Sequence, residues 1–248
     1  MHWRLRSDNT GTTIIFLVTT NMENSVSHLP FRKDRSIRIV EIIFLSLAAT
    51  LFYSVASFAQ SKTIIDEWAS VQAPKAPELK PVKIDDPKST AYLVLDIVKQ
   101  TCNNERRPRC VASVPKIQAF LTQARTKGVS VIYSYTTSST PADIFPEVAP
   151  IAGEPLVRAP ADKFVGTDLE KILRDKGIKT VIVIGTAAHG AVISTGSQAA
   201  FRGFKVIIPV DGMSSEDTYF EQYTAYHLTN APGVAQQVTL TKFDMIQF

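Results

Sequence analysis

The sequence predicts an α/β fold: a doubly wound, mainly parallel sheet between layers of helices, a Rossmann-like three-layer sandwich. Three observations lead there. From Thr90 onward, apolar stretches of strand length alternate with stretches of helical spacing, and a βαβ order implies a parallel sheet with right-handed crossovers. The run Thr180–Gly185 is almost continuous Val and Ile, as in a strand covered on both faces. Gly128, Gly177 and Gly203 each follow a helical stretch, where a residue able to adopt positive φ ends the helix.

Taken in order, Ala91–Ile97 is a strand that carries Asp96 at its end. Val114–Thr126 places Ile117, Phe120, Leu121 and Ala124 on one helical face. Val129–Tyr135 is the second strand. Thr136–Ala152 is a long loop with prolines, a length associated with lids and binding loops. Leu156–Arg158 is a short strand and Thr167–Lys176 a helix. After the Thr180–Gly185 strand come a helix over Ala191–Arg202, a strand over Lys205–Val210, a helix over Thr218–Leu228 and a last strand over Val238–Thr241. In such sheets ligands sit beyond the carboxyl ends of the strands. Asp96, Tyr135, the Gly185–Ala191 turn and Asp211 lie at such ends and are expected to converge.

The 248 residues are 45% hydrophobic and 20% charged, enough for one core with appendages. Residues 1–59 hold six Lys/Arg and four Asp/Glu, and the remainder 21 and 19. Each part is therefore nearly balanced, which argues against a nucleic-acid partner. Residues 1–59 read as a leader. Arg32, Lys33, Arg35 and Arg38 precede an apolar stretch, Ile42 to Ala56, and Ser57-Phe-Ala59 supplies a cleavage site. The apolar stretch is shorter than the ~20 residues of a membrane span. Export with cleavage near Ala59 is expected, to a periplasmic or secreted location and without stable membrane insertion; an uncleaved anchor is the alternative. Either Met1 or Met22 can be the start, and residues 1–21 are expected to lack regular structure. Residues 60–89, with Pro74, Pro77, Pro81 and Pro87, read as a short helix near Ile64–Trp68 and then a strap or linker. The globular domain is assigned to residues 90–248. Cys102 and Cys110, the only cysteines, flank a polar loop, and in an exported chain they are expected to form a disulfide.

Four stretches resemble the isochorismatase-like cysteine hydrolases: Tyr92-Leu-Val-Leu-Asp-Ile97, Lys163-Phe-Val-Gly-Thr-Asp-Leu169, Gly185-Thr-Ala-Ala-His-Gly-Ala-Val-Ile-Ser-Thr195 and Phe201-Arg-Gly-Phe-Lys-Val-Ile-Ile-Pro-Val-Asp211. The resemblance covers about residues 90–245. It implies an Asp/Lys/Cys trio, with Asp96 in the acid/base column. The lysine column falls on Arg158 by count, while Lys163 stands beside the phenylalanine of the motif, so both remain candidates for the cation. Aligned on Gly185, Val192 and Thr195, the nucleophile column falls on Ala191, which has no sulfur. True isochorismatases also lack the cysteine, and Ala188-His-Gly-Ala191 resembles their turn. The resemblance further implies a non-proline cis peptide near Ala187–Ala188 and a homo-oligomer.

The residues themselves add limits. A carboxylate at the end of a buried strand is partly desolvated and so suited to general acid/base work. The N–H groups of Gly190 and Ala191 open a helix and suit an oxyanion. Tyr135, Ala187, Ala188, His189, Gly190, Ala191 and Thr195 are the candidate substrate contacts, although His189 fits a packing role equally well. In the nicotinamidase branch of the family that the chain resembles, an Asp and two His in the loop after the second strand hold a metal; here that loop has no His, so the resemblance implies no metal. Gly185 to Gly190 lacks the Lys-Ser/Thr of a P-loop, and no cofactor is expected. Two functions follow as expectations. One is an exported hydrolase without the thiol, using Asp96 on a small ester, amide or vinyl-ether substrate. The other is a catalytically silent binding or scaffold protein that kept the fold.

Overall fold

The computed structural model describes residues 62–248 together with Leu5–Ser7 and Thr13–Ile15. The leader reading, the cleavage site at Ala59 and Met22 lie outside the described residues. The chain divides into two units, Met1–Val71 and Gln72–Phe248. In the first, Leu5–Ser7 pairs antiparallel with Thr13–Ile15, so residues 1–21 are not wholly irregular as expected. The β-branched run Thr13-Ile14-Ile15 favours extended backbone over coil. A one-turn helix, Ile64–Glu67, begins at a capping box between Thr63 and Asp66 and runs into a 3₁₀ turn, Trp68–Ser70.

In the second unit the strands are β1 (Val82–Lys83), β2 (Thr90–Leu95), β3 (Ser130–Tyr135), β4 (Leu156–Arg158), β5 (Thr180–Thr186), β6 (Lys205–Pro209), β7 (Met213–Ser214), β8 (Val238–Thr241) and β9 (Ile246–Gln247). The helices are α1 (Pro108–Thr126), α2 (Leu169–Asp175), α3 (Ile193–Phe201) and α4 (Thr218–Asn230). The main sheet has the order β8-β6-β5-β2-β3-β4, all parallel, with β7 alongside β5. A doubly wound α/β fold is thereby established. The strap carries β1, which pairs with β9 at the far end of the chain.

Alternation along each strand sends side chains to two cores. Leu93, Leu95, Val181 and Val183 face the core that also holds Leu173 of α2, Ala199 of α3 and Leu228 of α4. Tyr92, Val94, Ile182 and Ile184 face the one holding Ile117, Phe120 and Leu121 of α1. Every residue of β2 is buried, which accounts for its unbroken apolar character. The centre of the sheet is tight. Gly185 has φ +136°, and a Cβ there would stand 2.1 Å from the Leu95 carbonyl oxygen.

Three of the boundaries that differ from the sequence reading have a local cause. The first helix begins at Pro108 rather than Val114. Proline fits the first helical turn, and two prolines compete for that place; Pro108 takes it, which leaves Pro115 inside the helix. The strand β2 stops at Leu95, because Asp96 turns to φ +55°. The turn before α3 is a π-helical turn, Ala188–Val192, so α3 itself starts at Ile193. Among the described residues no helix is long and apolar enough to cross a membrane.

Candidate active site

Leu95 and Gly185 are register partners, and so are Leu95 and Ser134. The chain therefore leaves β2, β3 and β5 side by side, and Asp96 lies between its neighbours. Its left-handed backbone is a conformation that Asp tolerates better than most residues. The Asp96 N–H donates to the Ser134 carbonyl at 3.2 Å, and its carbonyl accepts from Thr101 Oγ1 at 2.5 Å. Both carboxylate oxygens are engaged. Ser134 Oγ donates to Oδ1 at 2.7 Å, and Lys163 Nζ donates to Oδ2 at 2.6 Å.

Lys163 is completely buried, and Asp96 is 4% exposed. The ammonium also donates to the carbonyls of Pro160 at 2.6 Å and Ala159 at 3.5 Å, so three oxygens surround its charge. The backbone that delivers Lys163 is fixed in turn. Its N–H donates to Thr195 Oγ1 at 3.3 Å, Thr195 Oγ1 donates to the Ala161 carbonyl at 3.4 Å, and Thr167 Oγ1 donates to the Lys163 carbonyl at 2.5 Å. Burial raises the Asp96 carboxyl above the usual carboxylate range, while Lys163 and the Ser134 hydroxyl oppose that shift.

Arg158, the other candidate cation, is exposed at the end of β4, and its guanidinium donates to the Thr137 carbonyl. The structure thus brings Lys163, and not Arg158, to Asp96. Thr195 stands four residues after Ala191, a spacing that turns both toward the same side of the helix. Ala191 is 3% exposed. The cis peptide is Thr186–Ala187, one residue earlier than expected. The Gly190 N–H donates to the Ala187 carbonyl at 3.0 Å, inside the turn. Gly190 is therefore not an open oxyanion donor as anticipated; an i→i−3 bond folds that N–H back on the turn, where a simple helix start would free it. Ala187 is half-buried, and the Ala188 N–H donates to Ser215 Oγ at 3.0 Å. His189 Nδ1 lies 2.9 Å from the same Ser215 Oγ, and its ring stacks on Phe220 at 4.1 Å between centroids. Tyr135 is half-buried and packs against the α1-side core. Asp211 does not join this group. It accepts from the Phe243 N–H at 3.0 Å and lies 3.5 Å from Lys116.

Cys102 and Cys110 are joined by a disulfide, and both are fully buried. The ring they close contains Arg107, 5% exposed, whose Nε donates to Glu216 Oε2 at 3.0 Å. Burial acts to raise the Glu216 carboxyl, yet its own backbone N–H and Arg107 together hold it below the usual value. The sequence reading passed over Ser134, Arg107, Ser215 and Glu216. Only Arg107 carried a local signal, as a charged residue inside a short cysteine loop. Among the described residues no group of three His, Cys, Asp or Glu side chains is gathered as for a metal ion.

Comparison with known proteins agrees with this architecture. The family model of the isochorismatase domain matches residues 90–241. A secreted isochorismatase effector, Isc1, of Verticillium dahliae is 30% identical over 117 residues, 43% of this chain and 62% of the effector. An N-carbamoylsarcosine amidase of Arthrobacter is 29% identical over 148 residues, 48% of this chain and 56% of the amidase. The matches thus span less than two thirds of either relative. Among solved structures, an isochorismatase-like hydrolase from Alkaliphilus metalliredigens superposes with a TM-score of 0.57 at 22% identity, over 63% of this chain and 87% of that one.

Proposed function

Because this chain belongs to the isochorismatase family, as the match over residues 90–241 establishes, we propose that it is an exported hydrolase that works without a thiol, through Asp96, on a small ester, amide or vinyl-ether substrate. The observation that carries the reading is the buried Asp96–Lys163 pair at the carboxyl ends of the central strands. Asp96 is the acid/base. Burial raises its carboxyl above the usual carboxylate range, the direction in which it keeps a proton to higher pH. Lys163 steadies the carboxylate left after the proton is given. For a vinyl ether, Asp96 protonates the double-bond carbon, water adds to the resulting cation, and the hemiketal collapses to carbonyl and alcohol with return of the proton. Ala191 stands in the nucleophile column and supplies no thiol. His189, placed by Ser215 and Phe220, is the side chain on the turn that meets the substrate. Export is supported by the disulfide and by the secreted relative, and a homo-oligomer by the family resemblance.

The test is Asp96→Asn. Asparagine tolerates the left-handed backbone and keeps the side-chain shape, but cannot transfer the proton. Turnover over a panel of small esters, amides and vinyl ethers should fall by ~10²–10⁴-fold. A variant that remains folded and retains the wild-type rate would remove Asp96 from the chemistry.

A second reading is a silent binding or scaffold protein. It is favoured by the closure around Asp96, whose two oxygens are both occupied. Two roomy surface cavities also open elsewhere, one of about 600 Å³ beside Val82–Asp86 and Lys205–Ile207, the other of about 780 Å³ between Lys75–Glu78 and the residues Tyr226, Thr229 and Asn230. Native mass spectrometry separates the two readings. A retained small molecule, together with no turnover on any of the panel, supports the silent protein.

A further inference from the structure

The disulfide ring grips the segment that holds the His189 turn. Two arginines of this stretch reach across to two glutamates that follow Ser215, Glu216 and Glu221. Arg107 Nε donates to Glu216 Oε2 at 3.0 Å, and Arg109 Nε donates to Glu221 Oε1 at 3.0 Å. That same Glu221 oxygen accepts the Ser215 N–H at 2.8 Å. Ser215 Oγ is in turn the partner of the Ala188 N–H and of His189 Nδ1, and Glu216 Oε1 lies 4.0 Å from His189 Nε2. On its other side, Arg107 Nη1 donates to the Thr101 carbonyl at 3.0 Å, and Thr101 Oγ1 donates to the Asp96 carbonyl. A continuous path of polar contacts therefore runs from the end of β2, through the ring, to the turn after β5.

We propose that the Cys102–Cys110 ring is a positioning clamp for the active site: through Arg107 and Arg109 it fixes Ser215, and so sets the orientation of His189 and the Ala187–Ala191 turn relative to Asp96. The two arms are unequal. The Arg109–Glu221 pair is partly exposed, 45% and 21%, and pairs of that kind contribute little alone. Arg107 has a side chain only 7% exposed and makes charge-assisted bonds in both directions, so it carries most of the coupling. The disulfide keeps Arg107 in place by closing its loop against α1, where Cys110 sits in the first turn. The turn's geometry then depends on the oxidised ring, although no sulfur touches it. Arg107 and Arg109 are positioning residues. The inference rests on the functional reading above only in giving His189 a substrate-facing role.

The test reads hydrogen exchange rather than turnover, so its outcome is independent of whether Asp96 catalyses anything. Exchange is followed by mass spectrometry on the whole chain with its disulfide, comparing peptides over 186–192, 102–110 and 117–126. In Arg107→Gln with the disulfide intact, amides of 186–192 should exchange about tenfold faster or more, the loss expected for a charge-assisted bond. Exchange in 117–126, in the body of α1, should stay as in wild type. Arg107→Lys should restore part of the protection, Arg109→Gln should have a small effect, and Cys102→Ser/Cys110→Ser should reproduce the effect of Arg107→Gln. Glu216→Gln cuts the same path from the far side without disturbing the ring, and should loosen 186–192 to a similar extent. It decides the matter if the Arg107 or cysteine variants do not fold. Faster exchange confined to 102–110, with 186–192 within twofold of wild type in Arg107→Gln and Glu216→Gln, would overturn the proposal and reduce the disulfide to a local staple.

Discussion

Lys163→Met tests the buried pair most directly. The variant removes an ammonium that has no exposed surface and three oxygen partners. It leaves the Asp96 carboxylate 4% exposed with only the Ser134 hydroxyl on its side chain. Removing one member of a buried pair strands the other charge, at a cost of about 3–5 kcal/mol. For a domain of this size that lowers Tm by roughly 6–20 °C. The pH dependence identifies the cause. Burial already raises the Asp96 carboxyl, and the lysine that opposes the shift is now gone. A carboxyl whose folded-state value lies above its unfolded value of about 3.9 favours the fold at low pH, and that contribution is lost as pH rises through the folded value. The deficit of Lys163→Met should therefore be smallest near about pH 4 and grow toward neutrality as Asp96 is forced to ionise. The Asp96→Asn/Lys163→Met double variant, with neither charge, should regain much of the loss and show little of this dependence. Urea unfolding followed by circular dichroism across that pH range measures all three. A loss below about 1 kcal/mol, a loss independent of pH, or a double variant no better than the single would refute a buried charge pair.

Three further outcomes follow from the geometry. Cys102→Ser/Cys110→Ser opens a ring of sequence separation 8 and should lower unfolding free energy by about 2.5 kcal/mol, read from the urea midpoint; an unchanged midpoint would show that the bond is not formed in the folded protein. Gly185→Ala places a methyl 2.1 Å from a backbone oxygen that cannot yield, at φ +136°, and should cost more than about 3 kcal/mol or prevent soluble expression; a wild-type Tm would mean that β2 and β5 do not approach so closely. Ala191→Cys should give a thiol that iodoacetamide alkylates faster than a free model thiol at neutral pH, because the positive end of α3 favours the thiolate; a slow or unreachable thiol would make Ala191 ordinary core filling.

Much of the sheet was legible because its signals are local. The Val/Ile run of β5 and the glycines after α1, α2 and α3 need no knowledge of distant residues to be read. The features that were missed depend on distant partners. The strands β1, β7 and β9 are two residues each and exist only because a strand far along the chain lies beside them. The start of α1 turned on a choice between two prolines that composition weights equally. The cation could not be chosen by counting, because Arg158 and Lys163 both follow the long loop after β3. What separates them is the path of residues 159–163, whose carbonyls and Thr195 hold Lys163 inward. Neither the engagement of the Gly190 N–H nor the grip on Ser215 has any signature in a linear pattern.

The balance between a working site and a silent one turns on the same pair. Two charges out of water cost several kcal/mol each before their attraction returns any of it, and well-packed apolar residues of similar size are often as stable or more so. A pocket kept only to hold the fold has no physical need of a lysine without exposed surface, facing a carboxylate at the one place where three strand ends meet. A proton-transfer site has such a need. The lysine opposes the upward pull of burial on the carboxyl, and so works against Asp96 being held in the neutral form. That asymmetry, a pair that adds little to stability and much to proton transfer, is the reason for preferring the catalytic reading even with an alanine in the nucleophile column.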